Sequence, residues 1–271
     1  MDSAMELQPA IGSADSAGAL RPLRHLVRAV WLQALRRNEI WVVGILLGLY
    51  VLGALVLRIV GIESAQTARF VTGLGLQLGS TLTALLVIVM GARQVPDEIE
   101  QRTIYPVLAK PVSRGQVLLG KGLPTWLAGV AAMLLFTGTT LAIAPRLPYQ
   151  TPGPLAQALL IKAASLAMLT GLVIWLSLWM PKAVSLVLCC ALYFFGTTSV
   201  NLIINATGHA NVVQYLSRLV PDFSLMDHFQ RYVDGGGLLS AGQAAGLMVY
   251  GVAWTVVFGA LAAARFRRQP I

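Results

Sequence analysis

Six apolar stretches dominate this chain, each close to the length of about 20 residues that a helix needs to cross a bilayer. They run near Trp41–Val60, Phe70–Met90, Leu123–Ala144, Leu155–Met180, Ala183–Ile204 and Ala241–Ala264. Lipid offers the backbone no hydrogen-bond partners, so a segment of this length crosses it as a helix. The fold class expected is therefore all-α: a polytopic membrane protein with six transmembrane helices. Composition agrees, with 56% hydrophobic and 11% charged residues, against roughly 45–50% and 25% in soluble domains. Only Pro181 and Lys182 separate the fourth and fifth stretches, which predicts a tight helical hairpin.

The charges lie between the apolar runs. A net charge of +9 invites a nucleic-acid reading. The basic residues, however, flank apolar spans and form no continuous stripe, so no nucleic-acid partner is expected. The positive-inside rule accounts for them. With the N-terminus in the cytoplasm, Arg21, Arg24, Arg28, Arg36, Arg37, Arg93, Arg102, Lys110, Arg114, Lys121, Lys182, Arg265, Arg267 and Arg268 fall inside, whereas Arg58, Arg69, Arg146, Arg218 and Arg231 fall outside. An even number of spans returns the C-terminus to the cytoplasm. The expected location is the inner (cytoplasmic) membrane, multi-pass.

Residues 1–20 are small, polar and aperiodic, without the basic start and apolar core of a secretory signal, and a disordered cytoplasmic tail is expected. Next, Leu23, Leu26, Val27, Val30 and Trp31 share a helical face and Arg24, His25 and Arg28 fall away from it, which predicts an amphipathic helix in the membrane interface. Between the fifth and sixth stretches, Val212, Val213, Leu216, Leu219 and Val220 predict a short helix on the outer surface. Gly235, Gly236 and Gly237 predict a flexible joint after it. The glycine pairs Gly44/Gly48 and Gly75/Gly79 read as close packing between helices.

No catalytic set emerges. Gly115 to Gly122 imitates a P-loop, but Gly122 stands where a magnesium-binding hydroxyl belongs and no strand precedes it, so no nucleotide is expected in this chain. His25, His209 and His228 have no metal-ligand spacing, and Cys189 and Cys190 are adjacent on a helix and read as small buried hydrophobes. No Asp or Glu falls within a span, so the usual relay of a proton-coupled transporter is missing. Lys162 is the one ionisable residue well inside a span; a cavity where it meets an anionic substrate is one reading, and snorkelling from its place near the outer end is the one expected.

The remaining polar segment, Asp97–Lys121, reads DEIEQRTIYPVLAKPVSRGQVLLGK and is too polar for lipid. Pro106 and Pro111 break it, and Ser113-Arg114-Gly115 turns the chain back toward the membrane. A charged knuckle of this kind suits docking into a groove on a soluble protein. The run from Glu100 through Arg102-Thr103-Ile104 and Leu108-Ala109-Lys110-Pro111-Val112-Ser113-Arg114 to Gly120-Lys121 resembles the signature of ABC-2 type permeases. It is closest to the branch associated with multicopper-enzyme maturation, although Pro106 is less usual there.

That resemblance implies that residues 21–271 form a single transmembrane permease domain, in which the interfacial helix precedes the first span. The segment between helices 2 and 3 would be a coupling helix docked on a separate ABC ATPase. Carried over by position, Asp97, Glu98, Glu100, Arg102, Lys110, Pro111, Arg114 and Lys121 form the docking segment, with Glu98, Glu100 and Arg102 orienting it and Lys110, Arg114 and Lys121 pairing with partner carboxylates or lipid phosphates. The implied assembly holds two ATPase copies, a second permease copy or homologue, and ATP with Mg on the ATPases. This chain would hold no cofactor or metal and would not be catalytic by itself. Export is the direction the resemblance favours. The alternative function is a non-transporting membrane anchor for an ATPase that drives a mechanical or regulatory process. A membrane-embedded enzyme is disfavoured, because no polar cluster is arranged for chemistry.

Overall fold

A computed structural model describes residues 39–59, 65–100, 114–144, 151–207 and 221–268. Every apolar stretch is helical there. Helix α1 spans Glu39–Ile59, α2 Ala65–Glu100, α3 Arg114–Ile143, α4 Pro152–Ser177 and α5 Lys182–Thr207. A single 3-10 turn at Ser224–Met226 and the short α6, Phe229–Val233, precede α7, Ala241–Arg268. No strand occurs among the described residues.

Among the described residues, four helical segments are long and apolar enough to cross a membrane: Gln66–Gln94, Val117–Ile143, Pro152–Ser177 and Ala241–Arg267. In α5 the described apolar part, Lys182–Phe194, is shorter. Helix α2 has 36 residues, about 54 Å of helix, against about 30 Å of hydrocarbon. Its last turns therefore lie beyond the apolar part.

Helix α4 forms the centre of the bundle. Two thirds of its span (67%) is buried, against 17% for α7, because α4 is apolar all round and a helix of that kind needs neighbours on every side. It packs most extensively on α7 and also touches α2, α3, α5 and α6. Tyr250, Trp254 and Phe258 stand at four-residue spacing on α7. Trp254 stacks on Phe258 at 5.2 Å, and Phe258 stacks on Trp175 of α4 at 5.9 Å. On other faces Ile45, Leu49, Leu52, Val249, Val252 and Val256 are exposed, as lipid-facing residues would be.

The α4–α5 hairpin forms as the sequence predicts, but α4 stops at Ser177, a few residues before the apolar run does. Leu178 to Met180 make the turn, and the hydroxyl of buried Ser185 bonds to the carbonyls of Leu176 and Met180, both at 3.2 Å. Of the two glycine pairs, one packs closely. A Cβ on Gly75 would strike the Tyr50 hydroxyl and Thr140, and one on Gly79 would meet Phe136 at 2.8 Å; Gly44 and Gly48 face open space.

Candidate functional site

The coupling segment leaves the bundle between α2 and α3. Asp97, Glu98 and Glu100 continue α2 without a break, although Pro96 removes one backbone N–H from it. A helix that has crossed the apolar layer can continue into water, since its backbone bonds are already internal. Arg102, Lys110 and Pro111 lie outside the described residues, as do Leu23, Leu26, Val27, Val30, Trp31 and Val212 to Val220. Arg114 opens α3. Lys121 lies two turns further on and is 5% exposed, inside the bundle wall. Beside it the Gln94 amide donates to the Thr125 hydroxyl at 2.6 Å and ties α2 to α3. Gly115 to Gly122 lie within α3, so the run is helix from its start and not the loop before a helix that the P-loop pattern describes.

A second polar centre lies toward the other end. Lys162 does not snorkel. It is 1% exposed, and its ammonium donates to the Asp227 carboxylate at 3.2 Å and to the Tyr193 hydroxyl at 3.3 Å. The Tyr193 ring lies 5.7 Å from the same ammonium. The hydroxyl of Ser80 donates to the same Asp227 oxygen at 3.4 Å. Four elements thus meet at one ion pair: Ser80 of α2 and Lys162 of α4 reach the carboxylate of the α5–α7 connection, and Tyr193 of α5 reaches the ammonium. Lys162 is ten residues into α4, about 15 Å along its axis. At that depth an unpaired ammonium is costly, and the nearest counter-charge captures it.

Asp227 reaches Lys162 because the described part of the α5–α7 connection, residues 221–240, folds inward. Phe223, Met226 and Phe229 are 1%, 0% and 2% exposed. Phe223 packs on Tyr193 at 5.4 Å. Met226 packs on Gly251 of α7, where a Cβ would lie 2.7 Å from its terminal methyl. The carboxylate of Asp222 shapes the 3-10 turn, accepting from the Ser224 amide at 2.8 Å and hydroxyl at 2.6 Å. Two further ties hold the segment. Tyr250 accepts from the Asp222 amide at 3.0 Å, and Gln157 of α4 exchanges two bonds with the Leu239 backbone at 2.8 and 3.3 Å.

The glycine joint is ordered as well. Gly235 has φ 76°. Its amide bonds to the Tyr232 carbonyl at 3.2 Å and the Gly236 amide bonds to the Arg231 carbonyl at 2.8 Å, which together make a Schellman cap on α6. Burial, followed by the nearby Arg231 guanidinium, holds His228 below the usual histidine range, while Asp227 and the Met226 backbone act in the other direction.

Sequence reasoning missed Asp227, Tyr193 and Ser80. A signal existed for the first: Asp227 stands between Phe223, Met226 and Phe229, whose spacing makes the connection too apolar for a solvated loop. Among the described residues no group of His, Cys, Asp and Glu could hold a metal. Both cysteines are free thiols, Cys189 buried and Cys190 half-buried.

No curated protein matches the chain closely enough to count as a relative. Residues 26–270 match the profile described as ABC-2 family transporter protein. With nearly its whole length covered by that match, and with its long apolar helices, the chain belongs to the ABC-2 family and is a multi-pass permease component of an ABC transporter.

Proposed function

We propose that this chain is the six-span permease of an ABC exporter in the inner membrane, with both termini cytoplasmic, and that Asp97–Lys121 is the segment a separate ATPase grips. The family implies an ABC ATPase partner and a lipid bilayer. The finer reading holds that two permease copies pair with two ATPases, which bind ATP and Mg. ATP binding closes the ATPases, pushes on the segment and tilts α2 and α3. The free energy comes from the partner, and this chain converts it into a change of access.

The observation that carries this reading is the length of α2. Its apolar part ends at Gln94, yet the helix continues to Glu100, and α3 starts at Arg114 before its own apolar part begins at Val117. Two continuous helices thus lead from the charged segment into the bundle, so a push on one end is delivered along a rigid rod. The motif from Glu100 to Lys121 supports the multicopper-enzyme-maturation branch.

Co-purification with the cognate ATPase tests the reading. The wild-type chain is expected to retain the ATPase in detergent, and the double variant Glu100→Arg/Arg114→Glu is expected to lose it. Full retention and transport by that variant would overturn the docking role. In proteoliposomes, ATP turnover that no candidate cargo stimulates would favour a non-transporting anchor.

A further inference from the structure

We infer that the groove between α3, α4 and α7, at the end of the bundle that carries the Asp97–Lys121 segment, is a binding site for one anionic phospholipid. An acyl chain lies in the groove and the headgroup phosphate meets the arginines that end α7. The inference needs only the membrane embedding and not the ATPase docking, so the two can fail separately.

The groove is cut by small residues. Gly115 and Gly122 on α3, Gly171 on α4, and Gly259, Ala262 and Ala263 on α7 line a cavity of about 390 Å³. A Cβ on Gly115 or Gly259 would meet nothing within 4 Å, whereas one on Gly122 or Gly171 would touch Ile174 or Phe258 at 3.2 Å. The open space therefore lies beside Gly115 and Gly259, and the helices close on one another behind it. Buried Phe266 packs with Leu118, Ile174 and Leu178 and ties the three helices together there. The groove occupies the first half of α3 and the second halves of α4 and α7, which run the other way. From Gly115 to Trp126 it extends about 16 Å, close to one leaflet of a hydrocarbon core about 30 Å thick.

Its chemistry and its width select a hydrocarbon chain. The Thr170 and Thr255 hydroxyls in the wall donate to the Leu166 and Gly251 carbonyls, both at 2.7 Å, and the Trp126 indole donates to the Ala163 carbonyl at 2.8 Å. These donors are spent within the bundle, and no charged residue lines the groove. Exposed Leu119 stands at its edge, so it opens sideways, where lipid lies. The volume spread over about 11–16 Å of helix leaves a mean cross-section of about 25–35 Å². A hydrocarbon chain whose carbons touch at about 4 Å fills roughly 15–20 Å². A helix about 10 Å across needs roughly 80 Å². One acyl chain fits, and the interfacial helix expected before α1 does not.

The charge stands where the headgroup would. Helix α7 continues past Ala263 to Arg265 and Arg267. Arg267 is exposed and, four residues on, shares the face of Ala263. The Arg265 guanidinium lies over the Trp179 ring at 4.5 Å, and its Nε is buried without an acceptor among the described residues. Guanidinium donors match phosphate oxygens in pairs, and basic pockets between membrane helices take anionic headgroups. Helix α3 begins at the same end, where its first amides have no intrahelical acceptor.

The test uses the full-length chain, extracted in mild detergent from vesicles of equal phosphatidylglycerol and phosphatidylcholine and washed, with the retained lipid counted by mass spectrometry. The wild type is expected to keep one phosphatidylglycerol per chain, in about fivefold or greater preference to phosphatidylcholine. Gly259→Leu fills the groove and should abolish retention at an unchanged melting temperature. Gly246→Leu, also in open space but in the other half of α7, should retain the lipid. Should Gly259→Leu fail to fold, Gly115→Leu fills the groove from the opposite wall. The double variant Arg265→Gln/Arg267→Gln should keep one lipid and lose the preference. Equal retention by the wild type and a folded groove-filling variant would overturn the site. Equal retention of the two lipids by the wild type would overturn its anionic character. A chain beginning at Glu39 that gains a lipid the full chain lacks would show that the preceding segment fills the groove instead.

Discussion

Lys162 and Asp227 lie 65 residues apart, yet the Lys162 ammonium is 3.2 Å from the Asp227 carboxylate in the interior of a bundle whose spans contain no acidic residue of their own. The pair is asymmetric, and its two halves are expected to respond differently to mutation.

Asp227→Asn strands a lysine that is fully buried, whereas Lys162→Met strands a carboxylate that water partly reaches. Breaking a buried pair costs about 3–5 kcal/mol. Asp227→Asn should fall within that range and Lys162→Met below it. Thermal unfolding in detergent gives the order, and a Lys162→Met variant less stable than Asp227→Asn would contradict it.

Gly235 occupies the left-handed position of the cap on α6, at φ 76°. Gly235→Ala places a Cβ against the following carbonyl and should cost about 1–2 kcal/mol. Gly237, with open space around it, should accept alanine at little cost. Equal losses at the two positions, measured by unfolding, would show that the joint is not held as described.

His228 is held below its ordinary pKa, so the folded protein favours the neutral ring. Its contribution to stability is then complete above the unfolded value of about 6.5 and is lost as pH falls through the lower folded value, because the unfolded chain binds the proton first. The wild type should lose melting temperature between neutral pH and about pH 5, and His228→Gln should lose less. Parallel pH profiles for the two proteins would rule this out.

Lys121 and Lys110 belong to one sequence motif but should fail differently. Lys121 is buried in the wall of the bundle, so Lys121→Glu should lower melting temperature and yield. Lys110, which the resemblance puts in the docking segment, should on Lys110→Glu lose ATPase capture with little change in melting temperature. Loss of capture by a normally folded Lys121→Glu variant would return Lys121 to the docking surface.

Several elements are legible in the residues alone. Pro152 opens α4 where a first-turn proline is tolerated. Pro181 ends the hairpin turn, and each of the six apolar runs falls on a long helix, although α2 extends past Met90 to Glu100 and α3 starts at Arg114, ahead of Leu123. Helix α2 ran further than its apolar run because apolarity marks the lipid layer and not the end of a helix. The glycine triplet was read as a joint because a sequence shows that glycine permits a left-handed residue, not that two capping bonds require one.

The residues by themselves determined that this chain is helical, lipid-dissolved and of the ABC-2 kind, because the length of an apolar run and the spacing of a motif are local properties. Only the tertiary structure decided what Lys162 does. Whether a charge escapes to water or finds a partner depends on which counter-charge the packing brings near. Here Phe223, Met226 and Phe229 draw Asp227 inward by burying themselves on helices far away in the chain. The hydrophobic effect places that carboxylate and electrostatics then retains it, and neither distance is written in the sequence order.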